Sequence, residues 1–500
     1  GFVLLRPATV ARRPAVDVFS SPNGLAWTFR ATLGAPAGFT AMMASGGPDG
    51  AVLAGETGVT GQAGGVLTAF ASADGRTWHQ VRPFGTAASE DVSGVALAPG
   101  GAVVAAGFSD GPDARQPVIT LTGVNAAVRQ VDIAMIRGAV EPQVAVNSIA
   151  AQDSTQVAVG SANGYPAAWT SGNGGSSWTR AVGALPAVFS RPGSQRLTSV
   201  THGPMGWLAV GDVMAAAPEH PVVVASADGT GWQAADGERV FGATGLFTEQ
   251  AAANARGYVI VGHQNVKRVQ NGQVVSARTE AAVWWSATLT GWRRGGDATA
   301  AALDGTGNRQ MNAVTALPIS GGAGFVAVGS HGDQPSAWTS ADGGRTWRQA
   351  DLPMPVGSTR AMLEHVASAG RVVVAVGTAV ITAGRTVPFA ASSANGGASW
   401  AESALPVPAG LTSVTALVAA GGSFTATGSY GSTPGHQDVV VWTSADGSAW
   451  RAAQPGGKGL TGPGIQAITG LAVAGSTLTG VGFTASPVSE QPIFWQAPVR

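Results

Sequence analysis

One short pattern recurs along the chain and limits what the chain can fold into. In seven of the eight copies a Ser is followed two positions later by Asp or Asn, then by Gly, and in all eight a Trp closes the pattern six or seven positions after the Ser. When one degenerate copy between Trp78 and Trp178 is counted, the copies recur at a mean spacing of about 53 residues, a length typical of blade or solenoid repeats. The closing Trp residues are Trp27, Trp78, Trp178, Trp232, Trp292, Trp347, Trp400 and Trp450.

Each copy contains the residue types that a tight turn between two strands needs. Asp or Asn accepts hydrogen bonds from downstream amides, Gly adopts a positive φ, Ser joins the turn to the neighbouring hairpin, and Trp packs beneath it. We therefore interpret the copies as structural turns and not as ligand sites. The best-formed copies contain Ser72, Asp74 and Trp78; Ser171, Asn173 and Trp178; Ser226, Asp228 and Trp232; Ser340, Asp342 and Trp347; Ser393, Asn395 and Trp400; and Ser444, Asp446 and Trp450.

The sequence between successive turns predicts β-strands. β-branched residues, period-2 stretches and Gly-bearing turns recur, and no long segment has helical periodicity. Four strands fit each repeat, as in 411–417, 423–428, 439–444 and 449–453. The second strand contains a Gly at the same place in nearly every copy, which predicts a backbone constraint there. These residues are Gly55, Gly107, Gly160, Gly211, Gly262, Gly329, Gly377, Gly428 and Gly482.

The repeated turn resembles the Asp-box, or BNR repeat, of sialidases, sortilin-type receptors, two-propeller xyloglucanases and photosystem II assembly factors. The resemblance covers essentially residues 1–500. It implies an all-β fold, a large β-propeller of four-stranded antiparallel blades with the Asp-box turns between the third and fourth strands. It does not imply one activity, because these families do unrelated things.

The number of blades follows from placing the repeats in register. A partial unit spans 1–30, eight full units run to about 455, and a partial unit spans 465–500. One of the full units is a degenerate copy in which Thr122 replaces Ser and Val128 replaces Trp. These units make nine or ten blade equivalents. Because no linker or composition break divides the chain, we favour a single ring, with two tandem propellers as the alternative.

Composition excludes several functional classes. Twenty-eight basic residues balance 28 acidic ones, so no electrostatic footprint for nucleic acid is expected. The chain has no Cys and its seven His are scattered, so neither a metal site nor a cofactor is expected. No apolar run is long enough to span a membrane. The resemblance, and a first residue that is not Met, favour a secreted or cell-surface protein whose signal segment has been removed.

Variation between the repeats predicts where a partner binds. The longest insertion, 264–280, contains Asn271-Gly272 between strand-like segments and is typical of a protruding β-hairpin. It carries Lys267, Arg268 and Arg278. We expect a non-enzymatic binding or scaffold protein that recognises a protein or a glycan on this rim, and a place as a subunit of a larger secreted or cell-surface complex is consistent with that role.

Polar residues also gather where each repeat enters its first strand. Three of them, Arg196, Arg309 and Arg360, come from different repeats and would bind an anion if they converged, as the arginine triad of sialidases does. Asp91 and Glu249 occupy similar positions. The simpler interpretation is that these charged groups face a wet channel.

An enzymatic alternative requires a nucleophile or a pair of carboxylates. Tyr165, Tyr258 and Tyr430 do not lie on predicted inner strands, so sialidase activity is not expected and no catalytic residue is assigned. A glycoside hydrolase with an axial carboxylate pair stays open, and the candidate pairs are Asp91 with Glu249 or Glu238 with Asp304.

An aromatic residue offers a second glycan-related candidate. Trp285 breaks the pattern of single Trp residues on the third strands and points to the face opposite its neighbour Trp284. It is either a sugar-stacking platform or, more simply, filling between sheets.

Overall fold

The fold was analysed in a computed structural model. The structure describes residues 2–47, 49–58, 65–81, 90–98, 102–110, 115–122, 129–132, 143–162, 165–181, 194–214, 221–235, 238–242, 245–270, 273–298, 302–318, 323–382, 384–406, 411–433, 435–486 and 489–499.

The described residues are almost entirely β-strands, as expected for an all-β propeller fold, and they form two compact units. The only helix among them is the single turn α1 (Glu238–Phe241), so none of the described helical structure is long enough to cross a membrane. The described part of the first unit, Gly1–Glu141, contains three antiparallel sheets. Sheet 1 is β1 (Phe2–Val10), β2 (Arg13–Ser21) and β3 (Thr28–Gly34); sheet 2 is β4 (Phe39–Gly47), β5 (Gly50–Gly58), β6 (Gly65–Ser72) and β7 (His79–Val81); sheet 3 is β8 (Glu90–Leu97), β9 (Val103–Asp110), β10 (Arg115–Thr122) and β11 (Arg129–Asp132).

The second unit, Pro142–Arg500, contains seven sheets in its described residues, when the last two, which a single parallel pair between Gln437 and Ile465 joins, are counted separately. Sheet 4 is β12 (Val144–Gln152), β13 (Thr155–Ala162), β14 (Tyr165–Ser171) and β15 (Thr179–Arg180); sheet 5 is β16 (Ser194–Gly203), β17 (Gly206–Met214), β18 (Pro221–Ser226) and β19 (Gln233–Ala234); sheet 6 is β20 (Leu246–Asn254), β21 (Gly257–Gln270), β22 (Gln273–Ser286) and β23 (Arg293–Arg294). Sheet 7 is β25 (Arg309–Leu317), β26 (Gly324–His331), β27 (Gln334–Ser340) and β28 (Thr346–Asp351), with β24 (Gly296–Asp297) parallel to β28; sheet 8 is β29 (Ser358–Ala369), β30 (Val372–Ile381), β31 (Thr386–Ser393) and β32 (Ala401–Ala404). Sheet 9 is β33 (Leu411–Ala420), β34 (Ser423–Thr433), β35 (His436–Ser444) and β36 (Arg451–Ala453); sheet 10 is β37 (Ile465–Ala474), β38 (Thr477–Ala485) and β39 (Glu490–Pro498).

The seven sheets of the second unit close into a ring. The first strand of each sheet, which we call its inner strand, contacts the inner strand of the next sheet, and β37 of the last sheet contacts β12 of the first. Side chains close the ring across that junction. Thr469 Oγ1 donates a hydrogen bond of 2.5 Å to the Val146 carbonyl, and Gln156 Nε2 donates one of 3.1 Å to Thr479 Oγ1.

The expected single ring of nine or ten blades therefore needs correction. The described sheets number ten, but the closing contacts join only the seven sheets of the second unit, and the first unit holds the other three. The contacts that close the ring involve side chains of sheet 4 and sheet 10 that no repeated motif contains. The Trp pattern alone therefore did not reveal where the ring begins.

The repeated turns have the hydrogen bonds that their residue types predict. In the turn of sheet 7, Ser340 Oγ donates to Asp342 Oδ1 and accepts from the amide of Gly344, while Asp342 Oδ1 accepts from the Thr346 amide. The Trp347 indole donates a 3.0 Å hydrogen bond to the Gly344 carbonyl. The same indole bond forms at Trp27, Trp178, Trp232, Trp292, Trp400 and Trp450, whereas the Trp78 nitrogen has no partner among the described residues. The degenerate copy lies partly outside the described residues, since Val128 is among those not described.

The core lies between neighbouring sheets. Trp284, Trp338 and Trp442, at the same place on three third strands, are fully buried. Each donates its indole N–H to a backbone carbonyl, at Val240, Ala302 and Pro406 respectively. Because each sheet buries one face against each neighbour, the strands of this unit are apolar over much of their length.

The inner strands all contain the same irregularity. In each of the seven, one residue is skipped in the pairing with the second strand, which is a β-bulge. The residue that pairs just before the skipped one always faces the recurrent Gly, as Leu363 faces Gly377. A Cβ added to any of the seven glycines would lie 1.9–2.0 Å from a backbone oxygen of its inner strand. The backbone constraint predicted from sequence is confirmed, and its cause is this close approach.

A test of this constraint is Gly377→Ala in sheet 8. The new methyl group would lie 2.0 Å from the Met362 carbonyl oxygen, and backbone must move to accommodate it. We expect the free energy of unfolding, measured by urea denaturation, to fall by at least about 3 kcal/mol.

The matched control is Gly172→Ala in the turn of sheet 4, where nothing lies within 4 Å of the added Cβ and where other copies already have Ala. We expect this variant to be unchanged or slightly more stable. Equal stability of the two variants would refute the constraint.

Candidate functional site

The skipped residues of the seven bulges form a ring of polar side chains on the inner strands. They are Asn147, Thr198, Glu249, Asn312, Glu364, Thr415 and Thr469. A bulge turns a side chain away from the ordinary alternation of the strand. Here it brings one polar group from each sheet toward the centre of the unit.

Six of these seven side chains line a cavity of about 380 Å³ at the centre, which we call the axial cavity. Five further described residues line it: Ser148, Gln250, Gln310, Met362 and His365. Ten of the 11 lining residues are polar, and none of them is Lys or Arg. A cavity of this size and character fits a small polar ligand or one group of a larger one.

Four of the bulge residues have a clear structural role. Asn147 Nδ2 donates a 2.9 Å hydrogen bond to the Leu197 carbonyl of the next sheet, and Asn312 Nδ2 donates one of 2.7 Å to the Leu363 carbonyl. Thr415 and Thr469 donate to Ile468 and Val146 in the same way, both at 2.5 Å. Each acceptor is the carbonyl just before the bulge residue of the next sheet. These bonds join neighbouring sheets around the cavity.

Glu364 differs from those four because an ionised carboxylate has no proton to donate to a carbonyl. It accepts a 2.6 Å hydrogen bond from Thr378 Oγ1 instead, and burial raises the pKa of Glu364 despite that bond. The next residue, His365, hydrogen-bonds the Val414 carbonyl of the following sheet. Burial lowers the pKa of His365 to about 4, so this imidazole is neutral near pH 7.

Glu249 is the second carboxylate of the ring and belongs to a polar cluster between sheets 5 and 6. Its Oε1 lies 3.2 Å from His263 Nδ1, and the His263 ring stacks on Phe247 at 4.6 Å. Asp212 follows the recurrent Gly of sheet 5, and one of its carboxylate oxygens is buried without a partner among the described residues. Burial and the Glu249 charge raise the pKa of Asp212 to about 6, opposed by Arg196, the Thr248 amide and His263.

The three arginines expected to form an anion site have separate partners. Arg309 is buried and donates to the Gln349 side chain at 2.9 Å and to the Thr306 carbonyl at 2.6 Å, so it stabilises the end of its own sheet. Arg360 is exposed and lies 3.8 Å from the Asp333 carboxylate. Arg196 is exposed and lowers the pKa of Asp212. None of the three lines the axial cavity.

The predicted hairpin is present. Strands β21 and β22 have 14 residues each, whereas the second strands of the other sheets in this unit have 8–11. Pairing continues to Gln270 and Gln273, which leaves a two-residue connection at 271–272, outside the described residues. Lys267 and Arg278 are exposed, and the Arg278 guanidinium pairs with Glu280. The side chain of Arg268 lies outside the described residues.

The remaining candidates have these positions. Trp285 is partly buried against the core between sheets 6 and 7, with the Arg345 guanidinium 4.2 Å from its ring centre, so it fills the space between sheets. The hydroxyl of Tyr258 accepts a hydrogen bond from the Met205 amide and donates one to the Gly206 carbonyl. Asp304 is exposed. The side chains of Glu238 and Asp91 lie outside the described residues, so neither of the expected carboxylate pairs is seen.

Sequence reasoning identified Glu249 but missed Glu364, His365 and Asp212. The position of Glu364 could have been found from its distance in sequence to the recurrent Gly. Glu249 precedes the recurrent Gly262 by 13 residues, and Glu364 precedes Gly377 by the same interval. The bulge could therefore have been placed by counting back 13 residues from the glycine in six of the seven sheets, had the close approach been known; in sheet 7 the interval from Asn312 to Gly329 is 17.

Comparisons with solved structures find β-propellers at low similarity. YCF48 bound to a D1 peptide is 13% identical with a TM-score of 0.41, over 69% of this chain and 90% of that chain. Trypanosoma rangeli sialidase in complex with the inhibitor DANA is 14% identical with a TM-score of 0.37, and the match spans 74% of this chain and 56% of the sialidase. A leech intramolecular trans-sialidase is 11% identical with a TM-score of 0.36, over 91% and 90% of the two chains.

These similarities assign no activity to this chain. No protein-family model matches it. No curated protein matches it either.

The buried Asp212 carboxyl makes a pH-dependent prediction. Its pKa is raised in the folded state, so folding favours the protonated form, and its ionisation destabilises the fold as the pH rises from about 4 through 6. Asp212→Asn removes this cost. We expect the variant to exceed the parent in free energy of unfolding by roughly 2–3 kcal/mol at pH 7.5 and to match it near pH 4, by urea denaturation.

The control is Asp333→Asn, whose side chain is 74% exposed and which should show no such gain. A difference between parent and Asp212→Asn that does not change with pH would contradict the assignment.

Proposed function

We propose that the chain is a non-enzymatic binding propeller that recognises a partner through the rim carrying the β21–β22 hairpin. The observation that supports it is the hairpin itself, which continues six residue pairs beyond Gln264 and Glu280, or about 20 Å at the usual rise per residue. Beyond its base, Lys267, Ala277 and Arg278 are exposed.

The base of the hairpin is anchored by two hydrogen bonds to neighbouring connections. The Asn265 amide donates to the Gly245 carbonyl at 2.8 Å, and the Thr279 amide donates to Asn308 Oδ1 at 3.0 Å. Both acceptors lie in the connections that enter inner strands, so the hairpin base and these connections share one rim. An exposed arm with an anchored base is suited to recognition.

The partner class and the location follow the sequence analysis. We propose a protein partner for the hairpin, because paired strands with basic side chains offer hydrogen bonds and charge to a protein surface. A glycan is the alternative partner. A position outside the cytoplasm, in a secreted or cell-surface complex, is part of the same proposal.

The test is a variant in which Asn-Gly replaces residues 267–277, so that the directly paired Val266 and Arg278 flank a two-residue turn. The anchors at Asn265 and Thr279 are retained, so we expect an unchanged melting temperature. Proteins and glycans retained by the parent, measured by pull-down from the native host and by glycan array, should be lost.

The matched control is Lys458→Glu with Arg451→Glu, two exposed basic residues of the same unit away from the hairpin. This control should retain the partners. An identical set of partners for the parent and the shortened hairpin would refute the proposal.

A glycoside hydrolase is the second candidate, favoured by the two glutamates that line one cavity. The raised pKa of Glu364 is what a general acid needs. This candidate requires turnover of aryl glycosides that Glu364→Gln abolishes. The binding proposal expects no turnover above that of Glu364→Gln, for either α- or β-linked substrates.

A further inference from the structure

The two glutamates in the ring of bulge residues do not follow its structural rule, and Thr198 follows it only loosely, with long hydrogen bonds to the Val210 and Glu249 carbonyls at 3.3 and 3.5 Å. Where a bulge residue is Asn147, Asn312, Thr415 or Thr469, its side chain donates a hydrogen bond to the next sheet. Glu249 and Glu364 are without a proton to donate when ionised, and an amide or hydroxyl at either position would serve the fold better. Their carboxylates line the axial cavity instead.

The cavity contains nothing that fully offsets these two carboxylates. None of its described lining residues is Lys or Arg. His365 is neutral near pH 7, and Glu364 receives a hydrogen bond from the uncharged Thr378. Glu249 has His263 at 3.2 Å, which offsets its charge only when that imidazole is protonated. When both glutamates are ionised, the cavity is a region of negative potential walled by hydrogen-bonding groups. Burial raises the pKa of Glu364, and a bound cation would favour its ionised form.

The rest of the lining suits a cation that also carries neutral polar groups. Asn147, Asn312, Gln250 and Gln310 bring amides to the cavity, and Ser148, Thr198 and Thr469 bring hydroxyls. Some of these groups are already used, since Gln250 Oε1 accepts from the Val314 amide at 2.7 Å and Ser148 Oγ accepts from the Val200 amide at 3.2 Å. Buried carboxylates favour a partner that brings both positive charge and N–H donors.

We propose that the axial cavity binds an organic cation through a primary ammonium group held between Glu249 and Glu364, with the amides and hydroxyls of the cavity around it. The volume of about 380 Å³ admits an ammonium with a few carbon atoms attached, such as an amino sugar or a lysine side chain. This inference does not depend on the hairpin, so loss or retention of rim partners leaves it untouched.

The proposal is tested by isothermal titration calorimetry with the full chain at pH 7. Binding of two compounds that carry a primary ammonium group is compared with binding of their uncharged counterparts. Glucosamine is compared with glucose, and Nα-acetyl-lysine amide with the same compound acetylated at Nε. We expect at least one ammonium probe to bind with a Kd below 1 mM (roughly −4 kcal/mol) and its neutral counterpart to bind at least tenfold more weakly. Which ammonium probe binds decides between a sugar source and a peptide source.

The variants are Glu364→Gln and Glu249→Gln, which keep shape and hydrogen bonding while removing charge. We expect each to weaken binding of the ammonium probe at least tenfold at a melting temperature equal to or above that of the parent, and the second variant decides if the first fails to fold. The control is Glu402→Gln, an exposed glutamate on β32, which should bind as the parent does. Failure of both ammonium probes to bind, equal binding of the neutral counterparts, or undiminished binding by the two variants would overturn the proposal.

Discussion

The close approach between a bulged inner strand and a glycine of the second strand is the constraint on which the second unit depends. A carbonyl oxygen lies where a Cβ would otherwise be, at the same place in all seven described sheets of that unit. The bulge moves one residue of each inner strand out of the regular pairing. The side chains of Asn147, Thr469 and their counterparts then reach the next sheet, and the last sheet reaches the first. The repeated turns stabilise each sheet from outside, but the bulges connect the sheets to one another.

The same device that builds the ring also makes the candidate site. A position that reaches a neighbouring carbonyl when it is Asn or Thr presents a carboxylate to the cavity when it is Glu. The cavity is polar because the bulges bring polar side chains to it from six sheets. It is charged because two of these side chains, Glu249 and Glu364, are carboxylates. Arg196, Arg309 and Arg360 do not form an anion site in the described residues. Arg309 hydrogen-bonds Gln349 of its own sheet, and Arg360 lies near the Asp333 carboxylate. The negative cavity and the basic hairpin are two separate surfaces for recognition.

Much of the fold could be predicted from the sequence, because its local features repeat. The Ser, Asp, Gly and Trp of each turn act within a few residues of one another, and the Asn-Gly hairpin is equally local. Ring closure could not be predicted, because it depends on contacts such as Thr469 with Val146 between residues distant in the chain. Glu364 was missed for a related reason, since only the skipped pairing shows that it faces the axis and not a neighbouring sheet. The repeated motif was enough to predict the strands and turns. The candidate site depends on the two bulge positions that are Glu where most other sheets have Asn or Thr, and the repeat does not predict them.

The most direct test of the account is hydrogen–deuterium exchange, measured by mass spectrometry, of the parent and a Thr469→Val variant. Valine keeps the volume of threonine and removes the hydroxyl that donates to the Val146 carbonyl. If side chains at the bulges close the ring, exchange must rise both in peptides from β37 and in peptides from β12, and least in β25 on the far side of the ring. Faster exchange confined to β37, with β12 unchanged, would contradict closure of the seven sheets by the bulge residues.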